Sequence, residues 1–90
     1  MAKRGKLEII RDILEIIRQN KSQIRPTPLL RKSGMSFVRF KEYYKELLDR
    51  ELIKEINSFE QTRRIVLTEK GFKFLEKYKT IVDFIDEFEL

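Results

Sequence analysis

The chain has 90 residues, enough for one small domain with a single hydrophobic core, and neither cysteine nor histidine. That excludes disulfides, thiolate or imidazole metal sites, a sulfur nucleophile and the commonest general base. Twenty Lys/Arg against fifteen Asp/Glu give +5; residues 81–90 hold Asp83, Asp86, Glu87 and Glu89 and no base, so residues 1–80 carry +9, a basic body suited to a polyanion with an acidic end kept away from it.

Residues 6–20, KLEIIRDILEIIRQN, predict the first helix. Leu7, Ile10, Leu14 and Ile17 recur at three- and four-residue spacing with Ile13 on the flank, and Asn20 supplies a stop. KSQIRP follows, in which Ile24 ahead of Pro26 is expected to be extended and to bridge a later strand. Thr27 is then the expected cap of a short helix beginning at Pro28, and Ser33-Gly34 its end, since glycine accepts the positive φ that closes a helix. Ser36 caps the next helix, expected to run to about Arg50. At 100° per residue, Phe37, Phe40, Tyr43, Tyr44, Leu47 and Leu48 share one broad face. Val38, Glu42, Lys45 and Asp49 share the other, with Arg39 and Lys41 flanking it. Helix, glycine turn and amphipathic helix read as a helix-turn-helix.

Two β-capable runs follow, LIKEIN (52–57) and RRIVL (63–67), separated by SFEQT. They predict a hairpin with Ile65 and Leu67 on one side and Arg64 and Val66 on the other. The tip lacks Asn-Gly or Asp-Gly and is expected to be a longer, mobile loop. Thr68 caps a last helix from Glu69, along which Leu75, Tyr78, Ile81, Val82, Ile85 and Phe88 form an apolar stripe. Two courses stay open for it. It is one helix with more apolar face than so small a domain covers, or it breaks at Thr80, where Thr80 and Asp83 have capping-box spacing.

The fold class expected is mainly α with a small β-hairpin: a winged helix-turn-helix over residues 1–68 with an extended C-terminal helix, 69–90, as dimerisation element. Beyond this arrangement, Thr27, Leu29, Leu30, Lys32, the run Ser33-Gly34-Met35-Ser36-Phe37, Phe40, Tyr43, Leu47, Leu52-Ile53 and Leu67-Thr68-Glu69-Lys70-Gly71 carry a resemblance. On them the chain resembles the small archaeal winged-helix DNA-binding proteins and their transcription-regulator relatives, over roughly residues 5–80. The resemblance implies duplex DNA binding through the third helix and the wing, and dimerisation through the C-terminal helix.

A helix in the major groove must present base-edge donors and phosphate-binding cations on its solvent face. Ser36, Val38, Arg39, Lys41, Glu42 and Lys45 are the candidates there, with Thr27, Arg31 and Lys32 on the preceding helix and Arg63 and Arg64 beside the wing tip. Glu42 repels phosphate unless it accepts from a cytosine. The competing readings are a solvated charged face for the helix and ordinary edge-strand charge for Arg63 and Arg64. Lys3, Arg4 and Lys6 form either a basic arm or a plain terminus. The aromatic residues at helical spacing belong to the core rather than to a base-stacking platform. Carboxylate pairs such as Glu42/Glu46 and Asp83/Glu87 read as surface charge.

No enzyme activity and no cofactor are expected. The expected partner is double-stranded DNA, with a homodimer through Tyr78, Ile81, Val82, Ile85 and Phe88. A winged helix used as a protein-interaction module, or RNA binding, is the alternative. No apolar run approaches the roughly 20 residues of a membrane span, and no signal peptide is expected, so the location is taken as cytoplasmic, with the nucleoid.

Overall fold

Five apolar side chains of the first helix, α1 (Lys6–Gln19), organise the interior: Ile9, Ile10, Ile13, Leu14 and Ile17 are all buried. In the computed structural model, which describes residues 5–57 and 62–90, α1 packs on α2 (Pro26–Ser33), on α4 (Glu69–Glu87) and on a small sheet. Leu7, expected inside, is 60 % exposed, and Ile9 takes its place. The buried stripe runs along 9/10, 13/14 and 17, and residue 7 falls on its edge.

The sheet has the order β1-β3-β2 and is antiparallel throughout, with β1 (Gln23–Ile24), β2 (Ile53–Asn57) and β3 (Arg63–Leu67). Ile24 pairs with Ile65, so the extended residue ahead of Pro26 does bridge the second strand of the hairpin. Ile24, Ile53, Ile65 and Leu67 lie on the inner face and are buried; Val66, in register with both Gln23 and Lys54, lies on the outer face. The hairpin is the wing. Tip residues 58–61 and the terminal Lys3 and Arg4 are outside the described residues, and with them the expected mobile tip and most of the segment read as either a basic arm or a plain terminus.

The second helix starts earlier than expected. Pro26 rather than Pro28 occupies its first position, after an extended Arg25 with φ −78° and ψ 153°, so Thr27 lies inside the first turn instead of capping it. Proline's fixed φ suits the first helical position and its missing N–H is not needed there, which makes Pro26 the natural start. Gly34, at φ +70°, closes the helix in the left-handed region as expected. Ser36 then caps α3 (Phe37–Asp49), its hydroxyl accepting from the Arg39 N–H at 3.3 Å. Phe40 and Leu47 are buried; Leu30 and Tyr44, expected in the core, are half-buried against it. Phe37, counted with the apolar face, is exposed, because it sits at that face's edge in the first turn.

The run Leu67-Thr68-Glu69-Lys70-Gly71 locks the wing to the last helix. Thr68 Oγ1 accepts from the Gly71 N–H at 3.0 Å and donates to the Glu51 carbonyl at 2.7 Å, while the Thr68 N–H donates to the Leu52 carbonyl at 3.2 Å. Gly71 lies so close to that corner that a Cβ on it would stand 2.3 Å from the Leu52 oxygen and 2.6 Å from Leu67 Cδ1. Gly71→Ala is therefore expected to destabilise the domain by about 2 kcal/mol, the overpacking cost outweighing the roughly 1 kcal/mol of helix propensity gained. Equilibrium urea unfolding measures this, and an alanine variant as stable as the parent would contradict the packing.

The last helix does not break at Thr80. It runs without interruption from Glu69 to Glu87, and the Thr80 hydroxyl donates to the Glu76 carbonyl at 3.1 Å, one turn back along the same helix. Phe74 stacks on Tyr78, and the Arg11 guanidinium lies over the Tyr78 ring, 5.4 Å from its centroid. Past that contact the helix leaves the body, and Ile81, Val82, Phe84, Ile85 and Phe88 are all exposed.

Candidate nucleic-acid interface

The outward side of α3 follows from what the inward side must bury. With Phe40, Tyr43, Tyr44 and Leu47 turned to the core, helical spacing turns Val38, Lys41, Glu42, Lys45 and Asp49 to solvent, and all five are exposed. Arg39 lies to one side of this ridge, in a shallow recess shared with Lys6, Glu42, Tyr43 and Glu46. Lys6, read from the sequence as part of either a basic arm or a plain terminus, belongs to the start of α1 and pairs with Glu46 at 2.9 Å. Arg50 pairs with the same carboxylate at 2.9 Å. The Lys6 ammonium, aided by Arg50, holds the Glu46 carboxyl below the usual carboxylate range, so that one acid on α3 is already offset by protein cations.

Beyond the shared core, a chain of side-chain contacts ties the wing to α3. The Tyr44 hydroxyl donates to the Glu55 carboxylate on β2, and Glu55 is 3.8 Å from Arg63 on β3. Burial, then the Glu55 carboxylate, pushes the Tyr44 phenol well above its ordinary range, so it remains a donor through neutral pH. Strand register separates the two wing arginines. Arg63 pairs with Asn57 on the inner face beside Glu55, whereas Arg64 pairs with Ile56 on the outer face, the side that also carries Lys54. Arg63 is thus partly engaged in holding the wing, while Arg64 makes no ion pair among the described residues. Lys54 is a further exposed cation on that face which the sequence reading passed over. The alternation within LIKEIN groups it with Ile56, but only the register with β3 brings it alongside Arg64's side of the sheet.

On α2, Thr27 and Arg31 are exposed one turn apart. Lys32 lies in a recess with Asp12 and Glu15 of α1, a different neighbourhood from the outward ridge of α3. The structure therefore brings Ser36, Val38, Arg39, Lys41, Glu42 and Lys45 onto the exposed surface of one helix, leaves Arg63 and Arg64 on opposite faces of the adjoining wing, and directs Lys32 toward α1. The residues of the expected pairing stripe split similarly. Tyr78 is half-buried under Arg11 and Val82 borders a recess shared with Arg11, Glu15 and Arg18 of α1, while Ile81, Ile85 and Phe88 are exposed. No helix among the described residues is long and apolar enough to cross a membrane.

Comparison with known proteins agrees with this geometry. The family profile described as winged helix-turn-helix matches residues 3–86. A search of curated proteins finds no match. Among solved structures, the chain is similar to Sso10a-2, a DNA-binding protein from Sulfolobus solfataricus, with a TM-score of 0.74 at 20 % identity over 96 % of this chain and 86 % of that one. It is also similar to F93 from STIV, a winged-helix DNA-binding protein, with a TM-score of 0.73 at 20 % identity over 89 % of this chain and 91 % of that one. At that identity the likeness is one of fold.

Proposed function

The chain belongs to the winged helix-turn-helix family, and from that premise we propose that it binds double-stranded DNA as a transcription regulator or chromatin-associated protein, in the cytoplasm with the nucleoid. The observation that carries this reading is the exposed ridge of α3, bearing Lys41 and Lys45 with Arg39 at its side, next to a wing that bears Lys54 and Arg64. A helix of this kind fits the major groove, and a basic hairpin beside it reaches the flanking backbone. The two solved structures described above are DNA-binding proteins by their descriptions, which supports the same reading.

Residues 1–68 carry the DNA contacts in this proposal, and residues 69–90 pair two copies. Ile81, Val82, Ile85 and Phe88 line one side of a helix that projects from the body, and burying that side against a second copy gains roughly 25 cal/mol per Å² of apolar area. The acidic residues of the same segment then lie away from the DNA, while two basic faces meet half-sites about one helical turn, or a multiple of it, apart.

Salt dependence tests the DNA contacts residue by residue. Each lost phosphate contact flattens the plot of log affinity against log salt by about 0.9 units. Arg64→Ala is expected to do so by about one such unit, and Arg63→Ala with Arg64→Ala by up to about two, with binding weakened on all duplexes alike. A variant with Arg39, Lys45 and Arg64 all reversed to Glu that kept its affinity for duplex DNA would contradict the proposed face.

A further inference from the structure

The outward ridge of α3 is not the surface a phosphate-tracking helix needs. Backbone binding calls for cations and hydrogen-bond donors, yet between Lys41 and Lys45 the ridge exposes a carboxylate, Glu42, and one turn earlier an aliphatic side chain, Val38. Val38 is 69 % exposed, more than any large apolar side chain within α4. The helix does neutralise another of its acids, holding Glu46 between Lys6 and Arg50. Glu42 makes no ion pair or hydrogen bond among the described residues, although it lines the same recess as Lys6 and Arg39.

Base edges, unlike phosphates, call for all three chemistries. Guanine offers N7 and O6 to a cation, thymine offers its methyl to an apolar side chain, and cytosine offers an amino group to an acceptor. A carboxylate only accepts, so it is repelled by the N7 acceptor of guanine and of adenine and by O4 of thymine. Cytosine N4 is the major-groove group that suits it best. Resting on the DNA-binding reading above, we infer that α3 is a sequence reader in which Glu42 selects cytosine and Val38 selects a thymine methyl close to it. The spacing fits. Four residues of helix advance about 6 Å, and stacked bases on one strand are about 3.4 Å apart, so the two selected bases lie one to two steps from each other. Lys41 and Lys45 on either side offset the phosphate repulsion that an isolated Glu42 would bring.

The test is selection from a randomised duplex pool by the full chain, by Glu42→Gln and by Val38→Ala, followed by affinity measurements on the enriched duplex and on single-base variants of it. The parent chain is expected to enrich cytosine at one position of the site and thymine within two steps of it. Replacing that C·G pair by T·A is expected to weaken binding about tenfold, within the range of one good base contact. Glu42→Gln should move the preference from cytosine toward adenine, which a carboxamide matches, and bind random duplex at least as tightly as the parent. Val38→Ala should lose the thymine preference and keep the cytosine. A pool without any enriched position, with Glu42→Gln tightening every duplex equally, overturns the inference and leaves DNA binding standing. So does an enriched site that Glu42→Gln leaves unchanged. A parent chain that retains no duplex at all overturns the functional reading itself, and this inference with it.

Discussion

Truncating Phe40 to alanine is expected to cost about 3–5 kcal/mol of folding free energy, the usual loss for an aromatic side chain removed from a packed core. Phe40 is the buried aromatic anchor of α3, stacked on Tyr44 with ring centroids 5.8 Å apart, and it belongs to the same buried core as the stripe of α1. A domain of this size has roughly 5–13 kcal/mol in total, so the variant should retain a small part of that or be unfolded outright. Tyr44 also donates to Glu55, so loosening its neighbour should loosen the wing as well. Urea unfolding followed by far-ultraviolet circular dichroism reads the loss. A Phe40→Ala chain as stable as the parent would mean that α3 is not seated as described.

Placing aspartate at Ile81, Ile85 and Phe88 is expected to turn the proposed dimer into a folded monomer. The three positions lie on the segment of α4 beyond the Arg11–Tyr78 contact, so they are not needed for the core of one chain. Within a dimer seam they would bury unpaired charge at a cost of several kcal/mol, enough to raise the dissociation constant about a thousandfold or more. Sedimentation at tens of micromolar should then show one chain with unchanged helix content, and DNA affinity should fall as two linked half-sites become one. If the parent chain already sediments as a monomer at that concentration, the pairing role of α4 is wrong.

How much of this was legible beforehand differs from element to element, for physical reasons. The α3 helix reads well because Ser36 caps it and Phe40, Tyr44 and Leu47 recur with helical period. The wing strands read well because Ile65 and Leu67 alternate with Arg64 and Val66. Ile24 reads as extended because Pro26 keeps the adjoining Arg25 out of the helical region and its bridge has a strand to meet. The start of α2 does not read from sequence because the segment holds two prolines, each able to open a helix, and only tertiary packing chooses between them. The exposure of Leu7 does not read from sequence because periodicity locates a stripe without fixing its edge. The unbroken α4 was one of two courses, since a threonine and an aspartate three apart mark a cap only where the backbone leaves the helix, and here Thr80 bonds back into it.

The site was legible as residue types more than as geometry. The cations of α3 follow from the helical wheel. The division of Arg63 from Arg64, the tie from Tyr44 through Glu55, and the use of Lys6 to hold Glu46 all depend on register and on contacts between elements remote in sequence. Lys32 illustrates the same limit: it is exposed as expected, but beside the acids of α1.

The most direct test of the account is the affinity of the unmodified chain for random duplex DNA across a series of salt concentrations. Neutralising about four phosphates with the cations of α3 and the wing predicts a slope of log affinity against log salt of roughly −3.6, from counterion release. A slope near zero, or no retention of duplex at low salt, would contradict DNA binding through this face and favour a protein partner for the same fold.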